Sequence, residues 1–232
     1  MRAFQEIFDR AAAFQGGAAE LEAALARSEV KSAEALRGIP DDRWLATMTK
    51  CVFQAGFNWK VIESKWPGFE AAFDGFDVGR WAMAPDEDLD RLSSDARIVR
   101  NGTKIRAVRD NAIFLSDLAA KNGAAGKVFA EWPPQDFTGL LDLLKTRGSR
   151  LGGTTAQYFL RFVGKESFIL SRDVVAALIR EGIVDKQPSS KRAQAMVQAA
   201  FNNWMEESGR TLTAISRVLA MSVGPSGHPA AH

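Results

Sequence analysis

Apolar residues recur along this chain at intervals of three and four, the spacing of one face of a helix. Phe4, Ile7, Phe8, Ala11 and Ala12 form such a stripe and predict a helix over residues 3–14, stopped by Gly16-Gly17. A short helix over 18–27 follows. The next is expected after Pro40 with Asp41 as its cap. Trp44, Leu45, Met48, Cys51, Val52 and Ala55 share its buried face, and Gly56 ends it. Phe57, Asn58 and Trp59 open another, running toward Lys65 and broken at Pro67-Gly68. PDEDLDRL predicts a short acidic helix over 85–92, and Asn101-Gly102 a turn. A long helix over 104–121 should turn Ile105, Val108, Ala112, Ile113 and Leu115 inward, and another over 137–145 ends at Arg147-Gly148. An apolar helix through Phe162-Val163 and helices over 171–179, 191–205 and 212–221 complete the set. The best strand-like run, Phe168-Ile169-Leu170, is too short to found a sheet.

The fold class expected is all-α, with about ten helices. The expected organisation is one domain over 1–223, two helical lobes around a cleft. It divides into an N-terminal extension (1–40), a core (41–187) and C-terminal helices (188–223). The Gly/Pro-rich tail 224–232 is expected to be disordered.

Composition changes this picture little and narrows the chemistry. Apolar residues make up 46% and charged residues 25% of the 232, which excludes a collagen-like or disordered chain. No apolar run approaches the roughly 20 residues that span a bilayer, so no membrane partner is expected. Thirty basic against 28 acidic residues leave a net charge of +2, so any nucleic-acid surface has to be local. The single cysteine, Cys51, excludes an intrachain disulfide, and the only histidines are His228 and His232. A structural zinc needs about four Cys/His ligands, so neither a metal nor another cofactor is expected. The start MRAFQEIFDR lacks an apolar signal-peptide core, which points to the cytoplasm. Without long apolar surface stripes, the expectation is a monomer.

Residues 143–175 carry the first functional signal. One helix ends at Arg147-Gly148, and Gly152-Gly153 opens a second with Thr154-Thr155 in its first turn, the spacing of a helix–hairpin–helix. Uncapped N–H groups at such a helix start suit DNA phosphates, and Lys145, Arg147 and Arg150 add charge nearby. Such contacts position a duplex without reading its sequence. The same glycines would also serve a plain packing corner. Asp173, at the start of the following helix, reads either as a carboxylate facing a sugar or as a complement to the dipole of a helix capped by Ser171.

A more specific pattern runs from Thr49 to Ala112. It comprises Gln54-Ala55-Gly56 followed by Trp59, Phe69 through Phe76-Asp77, Ile98-Val99-Arg100-Asn101, Lys104-Ile105 and Asn111-Ala112. Together with Arg147-Gly148 and Gly153-Thr154-Thr155, these resemble the DNA-3-methyladenine glycosylase type I family of helix–hairpin–helix glycosylases, over about residues 45–165. The resemblance implies an all-helical enzyme that flips an alkylated purine out of double-stranded DNA and hydrolyses its glycosidic bond without a Schiff base. It implies that Trp59 stacks on the flipped base and that Phe57, beside Gly56, fills the gap in the duplex. It also implies DNA contacts from Arg100, Asn101, Lys104 and the hairpin. Core packing is the alternative role for Trp59, and a helix-entry staple for Phe57.

Three departures set this chain apart. The family's pocket glutamate, eight positions before the tryptophan, is replaced by Cys51, whose thiol is no substitute for a carboxylate. Many members bind zinc through terminal Cys and His residues that are missing here, so the ends are expected to be held by apolar packing of helices at 1–30 and 190–222. The family's pocket tyrosine lies near the N-terminus, whereas the only tyrosine here is Tyr158, for which no match can be drawn. The expected function is release of alkylated purines such as 3-methyladenine, with Asp173 as catalytic carboxylate and Trp59, Cys51 and Phe57 at the base. A non-catalytic binder of damaged DNA is the alternative. A helical protein–protein module would instead scatter the basic residues.

Overall fold

The computed structural model describes residues 2–28 and 30–224. The expected disordered tail, with His228 and His232, lies outside these residues from position 225 on. All regular elements among the described residues are helical, and none is long and apolar enough to cross a membrane. The chain forms two compact units. One comprises the residues up to Val30, Pro133–Thr138 and the chain from Glu166 on; the other is Lys31–Trp132 with Gly139–Lys165.

In the Lys31–Lys165 unit the helix Asp41–Gln54 packs on Gly102–Asn122 and Thr154–Val163. Trp44 is fully buried, with its ring 4.8 Å from Phe129 and 5.9 Å from Phe159, so one indole ties three helices together. Gly126 permits this: a Cβ there would lie 2.9 Å from the indole nitrogen. Pro40, not Asp41, occupies the cap position; Asp41 is the first helical residue.

The expected break at Pro67-Gly68 does not occur, and the helix runs from Trp59 to Ala72. Proline forfeits one backbone hydrogen bond, and tertiary contacts outweigh that loss. Phe69 and Ala72 are buried beyond it. Arg43 grips Glu70 with two hydrogen bonds, at 2.9 and 3.1 Å, and the Trp66 indole donates to the same carboxylate. Gly68 lies hard against Arg97, whose carbonyl oxygen would be 2.5 Å from an added Cβ. The phenylalanines that follow are core: Phe69, Phe73 and Phe76 are fully buried and stack with Trp66, ring planes within 17°. Asp77 caps the short helix Val78–Ala82.

Asn101-Gly102 is a helix start rather than a turn: the Asn101 side chain accepts from the Lys104 N–H and caps Gly102–Asn122. Ile113, expected inward, is 43% exposed. Its neighbours Ala112 and Phe114 are buried, so it falls just outside the apolar arc. Three short helices, Ala33–Arg37, Val78–Ala82 and Ala125–Glu131, escaped the periodicity because one or two turns hold too few residues to show a stripe.

The other unit brings the chain's two ends together, as expected. Phe4–Gln15 packs on Leu212–Met221 and Lys191–Ser208. Phe168 stacks on Phe201 at 4.5 Å and meets Phe137 edge-on at 4.7 Å. Phe168-Ile169-Leu170 stays outside any ladder because helix side chains satisfy its backbone: Ser167 and Ile169 N–H groups donate to the hydroxyls of Thr213 and Ser216.

Candidate base pocket and nucleic-acid interface

A cavity of about 150 Å³ opens in the Lys31–Lys165 unit. Cys51, Gln54, Ala55, Gly56 and Trp59 form one wall, and Thr154, Thr155 and Tyr158 of the second hairpin helix form the other. Five residues predicted for the site, namely Cys51, Gly56, Trp59, Thr154 and Thr155, therefore converge on one hollow. Its volume is below the roughly 300–1,000 Å³ of a drug-sized pocket and suits a single flat ring system.

Trp59 is not core. It is 41% exposed and stands edge-on to Tyr158 at 5.1 Å and to Phe162 at 5.8 Å. A half-exposed indole flanked by two rings can stack on a further flat ring. Cys51 lines the cavity yet is buried, and its thiol is pushed up to about 12 by burial, so it is neutral and unreactive at physiological pH. No lining residue is charged.

The wall at 55–58 is shaped for close approach. Gly56 holds φ +69 with open space where a Cβ would stand, and Phe57 beside it is 45% exposed. Asn58 caps the Trp59 helix by accepting from the Lys60 N–H at 2.9 Å.

Lys104 requires a correction. It was expected to contact DNA, but it is buried, and its ammonium donates to the carbonyls of Phe53 (3.1 Å) and Ala55 (2.8 Å). Burial, helped by nearby Arg150, lowers its pKa. It clamps the 53–58 loop. Two turns further along the same helix, buried Asn111 clamps the hairpin. Its Nδ2 donates to the Ser149 carbonyl at 3.1 Å and its Oδ1 accepts from the Ser149 N–H at 2.8 Å. One helix thus fixes both loops that shape the hollow. Sequence reasoning used Asn111 only as part of a pattern and missed this role; its signal is an amide set among the apolar positions Val108, Ala112 and Leu115.

The hairpin has the geometry its glycines promised. Gly148 is forced by crowding, since a Cβ would lie 2.7 Å from the Leu144 carbonyl. Gly153 holds φ +58, ψ −136, which side chains rarely reach, and occupies the cap position of Thr154–Val163 without a side-chain cap. No side-chain cap therefore serves the first N–H groups of that helix. Lys145 and Arg150 are exposed, and a Cβ on Gly152 would come 3.7 Å from the Lys145 side chain. Arg147 is half-exposed and paired with Asp117 at 3.1 Å. Arg100 is exposed. Asp173 is exposed in the first turn of Arg172–Arg180, in the other unit, with Ser171 capping that helix. Among the described residues no group of three or more His, Cys, Asp and Glu side chains could hold a metal.

Residues 39–135 match the family model for methyladenine glycosylase. The matched segment is less than half of the chain. Within 59 residues the chain is 39% identical to DNA-3-methyladenine glycosylase 1 of Escherichia coli (strain K12), covering 25% of this chain and 32% of that protein. The match thus spans about a third of that relative's length. An 8-oxoguanine glycosylase/lyase of Methanocaldococcus jannaschii, solved with a DNA 15mer, superposes on 93% of this chain and 95% of its own at 14% identity and TM-score 0.54, so the two share an all-helical fold. The 3-methyladenine DNA glycosylase I of Staphylococcus aureus covers 56% of this chain and 82% of its own, at 19% identity and TM-score 0.47. Gln54, Gly56, Trp59, Lys104 and Asn111 lie inside the methyladenine glycosylase segment; the hairpin, Tyr158 and Asp173 lie beyond it.

Proposed function

We propose that this protein is a DNA glycosylase that flips an alkylated purine such as 3-methyladenine out of double-stranded DNA and releases it by hydrolysis. The observation that carries this reading is Trp59, exposed at the wall of a base-sized cavity shared with the hairpin's Thr154 and Thr155. A 3-methylated adenine in DNA is cationic, and an indole face attracts a flat cation by about 0.5–2 kcal/mol. The uncapped helix start and Lys145, Arg147, Arg150 and Arg100 hold phosphates, with Gly56 giving room and Phe57 filling the vacated stack.

In this reading the glycosidic bond breaks with its electron pair passing to the cationic purine, which leaves neutral. Positive charge develops on the sugar, water adds to C1′, and a carboxylate stabilises the charge and takes the water's proton. Asp173 is the candidate carboxylate. Because the leaving group needs no protonation, a pocket without an acid suffices for chemistry. The enzyme works as a monomer in the cytoplasm, without cofactor.

The test is release of methylated bases from alkylated duplex DNA by wild type, Trp59→Ala and Asp173→Asn. Release by wild type that falls in Trp59→Ala supports the reading, and its loss in Asp173→Asn places catalysis there. The uncharged lining with Cys51 favours one second reading, a non-catalytic binder of damaged DNA. Tight binding to an abasic-site mimic without base release would establish it.

A further inference from the structure

A second cavity, of about 550 Å³, opens beside the turn that joins Lys191–Ser208 to Leu212–Met221. Its whole lining belongs to the unit that holds the two chain ends, and it shares no residue with the hollow at Trp59. The volume falls within the roughly 300–1,000 Å³ of small-molecule sites. Glu166 and Glu206 bring two carboxylates to it. Glu166 is half-buried, and one of its oxygens accepts from the Leu212 N–H at 2.6 Å. Glu206 is exposed. Among the described residues neither carboxylate has an ion-pair partner.

The one cation of the lining is already committed. Arg210 gives both terminal nitrogens to Glu22, at 2.5 and 3.2 Å, and lies over the Phe8 ring at 4.7 Å. The Asn202 amide is committed too: Nδ2 donates to the Gln135 carbonyl at 3.0 Å, and Oδ1 accepts from Gln198 at 2.8 Å. What remains is acceptor-rich and net negative, with neutral groups from Gln135 and Thr211. Half-buried Met205 supplies an unbranched, pliable apolar surface. The complement of such a lining carries positive charge, several N–H donors and a flexible aliphatic body. A hard divalent cation fits poorly, because it wants about six oxygen ligands. Among the described residues no group of three or more His, Cys, Asp and Glu side chains could supply them. A flat aromatic cation finds no ring in this lining to stack on.

We propose that this cavity binds a linear aliphatic polyamine, its ammonium groups held by Glu166 and Glu206 and its methylene chain lying along Met205. The proposal goes beyond the glycosylase reading and does not depend on it.

The experiment is titration calorimetry of the full chain with spermidine, in the absence of DNA. Saturable one-to-one binding is expected, with a melting temperature that rises as spermidine is added. Glu166→Gln keeps an oxygen for the Leu212 N–H and removes the charge. It should weaken binding about tenfold, the order of a hydrogen bond to a charged group. Glu206→Gln, at an exposed position, should weaken it about threefold without touching any hydrogen bond of the fold. Glu87→Gln, an exposed carboxylate of the other unit, should leave the affinity unchanged. Butylamine, with a single ammonium, should bind about tenfold more weakly than spermidine. Binding that does not saturate, or that falls as much in Glu87→Gln as in Glu206→Gln, marks general attraction of a polycation and overturns the proposal. Equal affinity for butylamine overturns it, and so does displacement of spermidine by an equal concentration of magnesium. A tetralysine peptide that binds more tightly than spermidine would assign the cavity to a protein partner and overturn it as well. Base release from alkylated DNA should be the same in both glutamine variants of the cavity, so the glycosylase reading is judged separately.

Discussion

At the scale of single residues the site depends on environment more than on identity. Trp59 is one of six tryptophans, and nothing in its own letter separates it from Trp44, which is fully buried. The difference lies in what stands beside it: Gly56 upstream, and Tyr158 and Phe162 from a helix about a hundred residues on. Replacing Trp59 with Ala should weaken binding of 3-methyladenine by about tenfold to a hundredfold, the range for loss of one base–aromatic stack. The melting temperature should barely change, because a half-exposed ring contributes little to the core; titration calorimetry and thermal unfolding check the two halves of this prediction. Cys51 gives a pH prediction with a definite sign. Its thiol titrates near 9.0 when unfolded and at about 12 when folded. Below pH 9 both states hold the proton and the thiol does not affect stability. Between about 9 and about 12 the unfolded chain ionises while the native chain does not, so stability falls as pH rises. Cys51→Ala should flatten that part of the stability-versus-pH curve in urea titrations. In the native wild type, an aromatic disulfide reagent should leave the thiol unmodified at pH 8.

At the scale of elements, what could be read from the sequence was whatever repeats. The helices Phe4–Gln15, Asp41–Gln54, Gly102–Asn122 and Leu212–Met221 each carry a stripe several turns long, and their ends fell within a few residues of expectation. Ala33–Arg37 and Val78–Ala82 have no room for a stripe, and Pro67 is kept helical by Arg43 and Glu70, a pair 27 positions apart that no local rule can see. The site divides along the same line. The hairpin's glycines were legible because backbone geometry is written locally. Lys104 was misread because a lysine's letter does not reveal whether its ammonium meets a phosphate or two carbonyls. Asn111 links sequence to element in a testable way. Asn111→Leu removes both bonds to Ser149 and leaves its part-buried backbone unpaired, which should cost about 2 kcal/mol of stability. Duplex DNA binding should fall with it, while free 3-methyladenine binding changes less, because Trp59 and Gln54 sit on other helices. Gly153→Ala acts on the hairpin alone: holding alanine at φ +58, ψ −136 should cost about 1–3 kcal/mol or displace the helix start.

At the scale of the whole molecule, the proposed function asks a net charge of only +2 to serve a polyanionic partner. The bulk field then supplies little attraction, and the burden falls on a few local cations. Lys145 and Arg150 stand exposed around the hairpin, Arg147 leans on Asp117, and Arg100 is exposed near the start of the clamping helix. The Arg147–Asp117 pair is half-exposed on both sides, so exchanging the carboxylate for a phosphate forfeits little. Each cation that meets a phosphate releases counterions, and the logarithm of affinity falls with the logarithm of salt by about 0.9 per phosphate neutralised. If these four residues make the contacts, non-specific duplex binding followed by fluorescence anisotropy should show a slope of about −3 to −4. Arg150→Gln should lower that slope by about one and leave the melting temperature in place. Lys104→Gln should do the reverse, keeping the slope and losing stability, because its charge is directed at carbonyls inside the protein. A slope near zero, or equal loss from any surface cation tested, would mean that the hairpin does not face DNA and that its glycines serve packing alone.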